Sequence, residues 1–171
     1  MEIQIRHATA NDNHLLAEAG GRLFEAAFAA ENRPEEMAAY LAESFGPGIQ
    51  SAELADPASI TLIAESKGRF AGYARLKEGR PGLEIGAQKA VELVRIYAER
   101  EQIGLGVGSA LMQACLEEAA TSGYDSIWLG VWENNPRAIR FYEKWGFKAA
   151  GTQTFKLGED IQTDIVMYRG I

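Results

Sequence analysis

Three glycines at alternate positions, Gly104, Gly106 and Gly108, lie where a β-forming run gives way to a helical pattern. A glycine inside a helix costs about 1 kcal/mol relative to alanine, so their concentration at this point needs a reason. A strand, a glycine-rich turn and a helix N-terminus form an anion site, because unpaired N–H groups and the helix dipole point at the same place. The segment therefore favours a bound phosphate, with ordinary close packing as the alternative.

The spacing of these glycines argues against two familiar nucleotide sites. G-x-G-x-G lacks the third-glycine offset of the dinucleotide fingerprint and the Lys-Ser/Thr ending of a P-loop. A nucleotide-binding module would also need a lysine or a ribose-binding acid in the right place, and the sequence shows neither. The net charge of -7, without any Lys/Arg cluster, further disfavours a nucleic-acid partner and favours a cationic one.

A second segment, "NNPRAIRFYEKWGF", follows the next predicted strand and has the order Asn-x-x-Ala-x-x-Phe-Tyr-x-x-x-Gly-Phe. Together with "VRIYAEREQIGLGVGSALM" it resembles motifs B and A of the GNAT superfamily of acetyl-CoA-dependent N-acetyltransferases. "VELVRIY", "WLGVWENNPRAIRFYEKWGF" and "GTQTFKLGEDIQTDIVM" are similar to the bacterial PaiA-type spermidine/spermine acetyltransferases. The resemblance implies one acetyltransferase domain over 1–171, with variable substrate-side helices in 1–58 and the acetyl-CoA-binding core in 59–171.

The resemblance also implies acetyl-CoA as co-substrate and a set of contacts for it. Backbone groups of residues 96–98 pair with the pantetheine arm as an added strand would, and the glycine segment meets the pyrophosphate. The implied cofactor-binding residues are Ile96, Tyr97, Ala98, Ile103, Gly104, Gly106, Val107, Gly108, Ser109, Asn135, Arg137, Ala138 and Tyr142. The chain departs from the family pattern at Ile103, where Gln or Arg is usual, and Gln102 is displaced by one position.

Acetylation of an amine needs a neutral amine, an acceptor for its proton and a proton donor for the departing thiolate. Tyr142 matches the family tyrosine that resembles a general acid, the alternative being a tyrosine packed against the sheet. Glu92 lies on the strand where several family members place their general base, and its apolar neighbours predict a raised pKa. A solvent-facing glutamate is the alternative reading of Glu92, and Glu84 and Tyr97 are other candidates for the base.

The acceptor is predicted to be a polyamine. Carboxylates on the first two helices, namely Glu25, Glu31, Glu35 and Glu36, are candidates to attract a polycation, with a solvated helix face as the alternative. We expect three aromatic residues to lie partly in the core and partly in the wall of the substrate pocket, namely Phe24, Phe28 and Tyr40. The rival functions are acetylation of an amino acid, an aminoglycoside or a protein N-terminus, and a non-catalytic acyl-CoA sensor, which would be expected to lack the acid.

Composition indicates which metal sites, disulfides and cellular location to expect. His7 and His14 are too isolated to predict a metal site. The single Cys115 lies in an apolar helical pattern, which predicts a buried thiol and excludes an internal disulfide. No membrane-length apolar run or signal-peptide core is visible, so we expect a cytoplasmic protein with a small-molecule amine partner and no membrane partner, and we allow a homodimer.

Periodicity supplies the elements that position these residues. It predicts a strand at "EIQIRHA", a helix after a Thr9/Asp12 capping box, a second from Pro34 to about Gly46-Pro47-Gly48 and a short third at 49–56. Further predictions are a hairpin around "KGR", a helix from Gly104 to about Thr121 and a closing strand pair around Gly158. With the resemblance, they predict an α/β fold whose mostly antiparallel seven-stranded sheet has a splayed parallel pair and helices on both faces.

Overall fold

Seven strands and five helices make up the computed structural model, which describes residues 2–171. The elements in chain order are β1 (Ile3–His7), α1 (Asn13–Phe28), α2 (Pro34–Ser44), α3 (Pro47–Ala55), β2 (Ser59–Ser66), β3 (Arg69–Glu78), β4 (Ala90–Ala98), α4 (Val107–Thr121), β5 (Ser126–Trp132), α5 (Pro136–Lys144), β6 (Lys148–Leu157) and β7 (Asp160–Gly170). Short 3-10 turns precede α1, follow it and precede the glycine segment.

The seven strands form one sheet in the order β1-β2-β3-β4-β5-β7-β6. Neighbouring strands are antiparallel except β4 and β5, which are parallel and pair over three positions only, the last being Glu92 with Trp128. β4 then continues to Ala98 and β5 to Trp132 without pairing to each other. The prediction of a mostly antiparallel sheet with one splayed parallel pair is therefore confirmed.

Helices cover both faces of the sheet because alternate strand residues point to opposite sides. On one face, Leu62 of β2 packs in a core with Leu111 and Cys115 of α4. On the other face, Ile63 packs with Leu16 of α1. Cys115 is fully buried, and burial raises the pKa of its thiol to about 12, which makes it an inert core residue as predicted.

The glycine segment begins its helix later than predicted. α4 starts at Val107 rather than at Gly104, and Gly106 is its N-cap residue. Gly104 and Gly106 have φ values of 81° and 94°, in the left-handed region that glycine tolerates and other residues rarely adopt. These two glycines therefore form the turn before the helix, where they cost no helix stability.

Two other predicted helix starts can be checked. The Thr9/Asp12 capping box is present, with the Thr9 N–H donating a hydrogen bond to Asp12 at 2.8 Å; it encloses a 3-10 turn over Ala10–Asp12, and α1 follows it as predicted. α3 starts at Pro47, two residues before the predicted start at position 49, because the fixed φ of proline suits a first helical position.

Gly20 permits a close approach between α1 and its neighbours. A Cβ at this position would lie 2.7 Å from the Phe45 ring and 2.9 Å from the Tyr73 hydroxyl oxygen. We expect Gly20→Ala to destabilise the fold by about 1–3 kcal/mol despite its better helix propensity, because both neighbours must shift. Gly21→Ala is the matched control, since its nearest contact would be an ordinary 3.5 Å. Urea denaturation of both variants measures the difference, and equal stabilities would contradict the packing argument.

Candidate active site

A cleft of about 1020 Å³ lies where β4 and β5 separate, bordered by the glycine segment, α5 and part of α1. It brings together almost every residue assigned to the cofactor from the sequence. Those lining it are Ile96, Tyr97, Ala98, Ile103, Gly104, Gly106, Gly108, Ser109, Asn135, Arg137, Ala138 and Tyr142. Val107 is the exception, because its side chain is fully buried in the core below the helix and only its backbone is available to a ligand.

The glycine segment offers unpaired backbone donors to the cleft. The first N–H groups of a helix have no partner within it. Within residues 2–171, the N–H groups of Val107, Gly108 and Ser109 donate no backbone hydrogen bond, and neither do those of Gly104 and Gly106. These donors at the positive end of α4 fit a pyrophosphate.

The open edge of β4 continues this site toward the split. From Leu93 to Ala98 the strand pairs with β3 on one side, but its side facing β5 has no strand partner. Backbone groups on such an edge are free to bind an extended ligand as a further strand would. The edge therefore fits the amide-containing pantetheine arm of a coenzyme A thioester.

The charged residues that line the cleft are all basic. They are Arg95, Arg100, Arg137, Arg140 and Lys144, and no described Asp or Glu lines it. An overall acidic chain thus presents a basic surface where an anionic cofactor would lie. Sequence reasoning missed Arg100, Arg140 and Lys144, although the last two follow Arg137 at helical spacing on one face of α5.

Asn135 and Tyr142 combine a structural contact with a place in the cleft. The Asn135 side-chain oxygen accepts a hydrogen bond from the Ala138 N–H at 3.2 Å and so caps α5. The Tyr142 ring packs 5.5 Å from Phe141 and 5.8 Å from Phe147, measured between centroids. Burial raises the pKa of the Tyr142 hydroxyl, so this group stays protonated at neutral pH.

The departure from the family pattern at Ile103 is not compensated by its neighbour. Ile103 lines the cleft and is 43% exposed. Gln102 does not line the cleft, and its buried side-chain oxygen has no hydrogen-bond partner among the described residues. Any phosphate contact at this corner must therefore come from backbone donors or from the basic residues.

A smaller pocket of about 170 Å³ opens from the same split. It shares Phe28, Val94, Arg95, Tyr97, Gly130 and Trp132 with the cleft. Phe24 and Tyr40 stack at a centroid distance of 4.4 Å and also line it, so all three predicted aromatic residues reach this pocket. Two cavities thus meet at the point where the parallel strands part, as transfer between two bound molecules requires.

Glu92, the predicted base, lines the smaller pocket at the last paired position of β4 and β5. Burial is the main cause that raises the pKa of its carboxyl, and the charge of Asp164 raises it further. Arg75 and Lys77 oppose this shift. A partly desolvated carboxylate at this position is a stronger proton acceptor than an exposed one.

Asp164 of β7 is a pocket residue that sequence reasoning missed. It is 7% exposed, lines the smaller pocket and has a pKa raised to about 6 by burial. The sequence feature that could have identified Asp164 is its position as the one carboxylate in the run "DIVMY", because the other residues of this run suit a buried strand. Only the strand order, which sets β7 between β5 and β6, brings it to the site.

Tyr97, the other candidate base, lines both cavities, whereas the remaining acidic candidates lie outside them. Glu84 is exposed and accepts the Gly86 N–H at 2.6 Å, so it is not brought near Glu92. The exposed Glu25, Glu31 and Glu35 do not line the pocket. Glu36 is buried, pairs with Arg33 at 3.0 Å and accepts a hydrogen bond from the Glu159 N–H, so it holds the β6–β7 turn instead of facing a ligand.

The described residues contain neither a candidate metal cluster nor a candidate membrane-spanning helix. In residues 2–171 no group of three or more His, Cys, Asp or Glu side chains is arranged to hold a metal ion. None of the helices in this range is both long enough and apolar enough to cross a membrane.

A splayed sheet with a glycine-rich turn at its split fits an acyl-CoA-binding transferase, and comparison with known proteins agrees with this class. The sequence profile of the acetyltransferase (GNAT) family matches residues 18–147, and the chain belongs to this family. It is an N-acetyltransferase that uses acetyl-CoA as co-substrate and acts on an amine acceptor.

Individual relatives show how far the similarity extends. An N-acetyltransferase of Mycobacterium tuberculosis, described as uncharacterized, is 37% identical over 154 residues, covering 90% of this chain and 94% of the relative. PaiA N-acetyltransferase from Thermoplasma acidophilum, solved in complex with coenzyme A, shares the fold with a TM-score of 0.81 at 20% identity, over 100% of both chains. The ribosomal-protein-S18-alanine N-acetyltransferase from Escherichia coli has a TM-score of 0.72 at 17% identity, covering 99% and 94% of the two chains.

Proposed function

We propose that the chain transfers the acetyl group of acetyl-CoA to a primary amine of a polyamine such as spermidine or spermine. The observation that carries this proposal is the opposite charge of the two cavities that meet at the β4–β5 split. The cleft is lined by basic residues, whereas the smaller pocket contains the carboxylates of Glu92 and Asp164. Such an arrangement favours an anionic cofactor on one side and a cationic acceptor on the other.

Arg95 does not neutralise the smaller pocket, although it lines both cavities. Its guanidinium donates two hydrogen bonds to the carboxylate of Glu53, at 2.7 and 3.1 Å. This bidentate pair engages the guanidinium of Arg95 with Glu53 and not with the pocket carboxylates; Glu53 also lies 3.6 Å from Arg75, which does not line the pocket. The pocket therefore has two acidic groups and no unpaired cation of its own.

The proposed chemistry is direct transfer. Glu92, itself or through one water, accepts a proton from the ammonium group, and the neutral nitrogen then forms a bond to the thioester carbonyl carbon. The C–S bond breaks as the tetrahedral intermediate collapses, and Tyr142 donates its proton to the departing thiolate. The nitrogen loses its second proton in this step, and that proton restores the Tyr142 hydroxyl. The raised pKa values of both groups suit these roles, since one is a better base and the other stays protonated.

The rival acceptors fit the smaller pocket less well. An amino acid would bring its own carboxylate toward Glu92 and Asp164, which repel it. A volume of about 170 Å³ corresponds to about six water-sized groups, which suits a short unbranched aminoalkyl arm better than an aminoglycoside ring. The similarity of three segments to PaiA-type enzymes further supports a polyamine acceptor. We also propose that the protein is cytoplasmic, and a homodimer is compatible with this proposal.

An acceptor panel tests this proposal. We expect kcat/KM for spermidine to exceed that for a single amino acid and for an N-terminal peptide by about 10-fold or more at low salt, the ratio that about 1.4 kcal/mol of charge attraction supplies. The preference should narrow only in part at high salt, because ions screen the exposed charges that attract the substrate over about 8 to 10 Å but screen contacts with Glu92 and the buried Asp164 much less. Release of the coenzyme A thiol measures each rate. Equal or better use of the amino acid at low salt would refute the polyamine proposal and leave the acetyltransferase family assignment intact.

A further inference from the structure

Asp164 has a buried carboxylate without a partner. Within residues 2–171 its side chain makes no hydrogen bond and no ion pair, although it is only 7% exposed, and burial alone raises its pKa. Buried carboxylates in proteins are normally paired or hydrogen-bonded, because burying an isolated charge is costly. An unpaired one that lines a cavity is therefore placed to receive a partner from outside the chain.

Gly130 shows where this carboxylate points. A Cβ at Gly130 would lie 2.9 Å from the Asp164 Oδ2 atom and 2.5 Å from the Gln153 side-chain nitrogen. Both polar groups thus lie directly over a residue without a side chain. Since Gly130 lines the cleft and the smaller pocket alike, Asp164 faces the junction between them.

The charged groups around this junction leave the carboxylate uncompensated. Glu92 of β4 adds a second negative charge. Burial is the main cause that raises the pKa of Glu92 and Asp164 raises it further, whereas Arg75 and Lys77, which do not line the pocket, lower it. Arg95 is bound to Glu53, as described above. The pocket walls are aromatic, with Phe28 and Trp132 in an edge-to-face pair at 6.4 Å, and aromatic faces attract cations. A cation supplied by the substrate is the group that this environment lacks.

We propose that Asp164 binds the ammonium group of the acceptor and is the specificity-determining residue that selects cationic amines. Gln153 lies beside it and provides a side-chain amide for the same end of the substrate. This inference rests on the proposed function, because it assigns a residue to the acceptor side of that site. It adds to Glu92 and Tyr142 a group whose task is recognition, so its loss should affect binding more than the chemical step.

The stability of the free protein separates recognition from a structural role. The pKa of Asp164 is about 6 in the folded protein and near 3.8 when unfolded, so this group lowers stability as the pH rises through that window. Asp164→Asn should therefore have a higher Tm than the wild type at pH 8, with a smaller gain at pH 5. A residue retained for packing or hydrogen bonding would instead lower the Tm when replaced.

Binding of spermidine to the full chain with saturating coenzyme A, measured by calorimetry, tests the inference directly. We expect Asp164→Asn to weaken spermidine binding by about 10-fold to 100-fold, the range for losing a charge-assisted contact, and to leave coenzyme A binding unchanged. Glu159→Gln is the matched control, since it removes one negative charge from the exposed turn next to the same strand. It should bind spermidine as the wild type does.

The outcomes distinguish this inference from the proposed function. Weaker spermidine binding in Asp164→Asn, a higher Tm at pH 8 and a rise in KM at nearly constant kcat support the inference. Wild-type affinity for spermidine in Asp164→Asn, or no spermidine binding by the wild type, would overturn it. Asp164-dependent binding of spermidine without acetylation of any amine would overturn the proposed function alone.

Discussion

Tyr142→Phe is expected to lower kcat by about 10-fold to 1000-fold while the affinity for acetyl-CoA changes little. The substitution removes the hydroxyl proton that we assign to the departing thiolate and keeps the ring that packs between Phe141 and Phe147. Burial raises the pKa of this hydroxyl, so the wild-type enzyme holds the proton throughout the neutral range. Loss of the donor should therefore reduce the rate at all pH values between about 6 and 9, where the pKa remains above the pH.

Tyr124→Phe is the control for the Tyr142 experiment. Its hydroxyl also makes a polar contact, a hydrogen bond to Glu78 at 3.2 Å, but it lies outside the cleft. The same loss of one oxygen atom there should leave kcat unchanged. Steady-state thiol release and calorimetric acetyl-CoA binding give the two readouts. If Tyr142→Phe turns over a verified amine acceptor at the wild-type rate, Tyr142 is not the proton donor.

Local sequence signals predicted the parts of this fold that depend on a few adjacent residues. The β2–β3 turn is one, because Lys67 and Gly68 both have positive φ values, which a two-residue hairpin turn requires. The glycine segment is another, since backbone donors and left-handed turns need the same small residue. Its helix boundary was wrong because helical periodicity does not reveal where φ changes sign.

Features that depend on strand order could not be predicted from the sequence. The sequence placed Glu92 on a β-forming strand. Whether its side chain faces solvent or a pocket could not be predicted, because this depends on where β4 and β5 separate. Asp164 is 72 positions further along the chain, and β7 inserts between β5 and β6 to bring it to the same pocket. Acidic helix residues, in contrast, were abundant and drew attention to Glu25, Glu31 and Glu35, which lie away from the site.

The same comparison explains why the anion site was easier to infer than the acceptor site. The proposed anion site is built from backbone N–H groups within the single segment from Gly104 to Ser109, so its expected ligand class follows from that segment. The acceptor pocket is assembled from side chains of α1, α2 and four strands, each of which has an alternative structural reading. Its charge depends on a tertiary contact, because the Arg95 guanidinium is bound by Glu53 of α3.

Gly106→Glu is expected to abolish the stabilisation that acetyl-CoA confers on the fold. A ligand that binds only the native state adds about 2.7 kcal/mol at 100 times its Kd, which corresponds to about 5–10 °C in Tm for a chain of this size. Gly106 is the N-cap of α4 with φ 94°, and it lies among the N–H groups that we assign to the pyrophosphate. A glutamate there blocks the donors and places a negative charge against the phosphates.

The strain of a side chain at positive φ must be separated from this ligand effect, because Gly106→Glu also weakens the free protein by about 1–2 kcal/mol. Gly68→Glu is the matched control: Gly68 has a φ of 71°, lies in the β2–β3 turn and lines neither cavity. Both variants should melt at a lower temperature without ligand, but only Gly68→Glu should regain the full acetyl-CoA-induced shift in Tm. Thermal melts with and without acetyl-CoA measure this shift. A wild-type shift in Gly106→Glu would exclude the glycine segment as the pyrophosphate site.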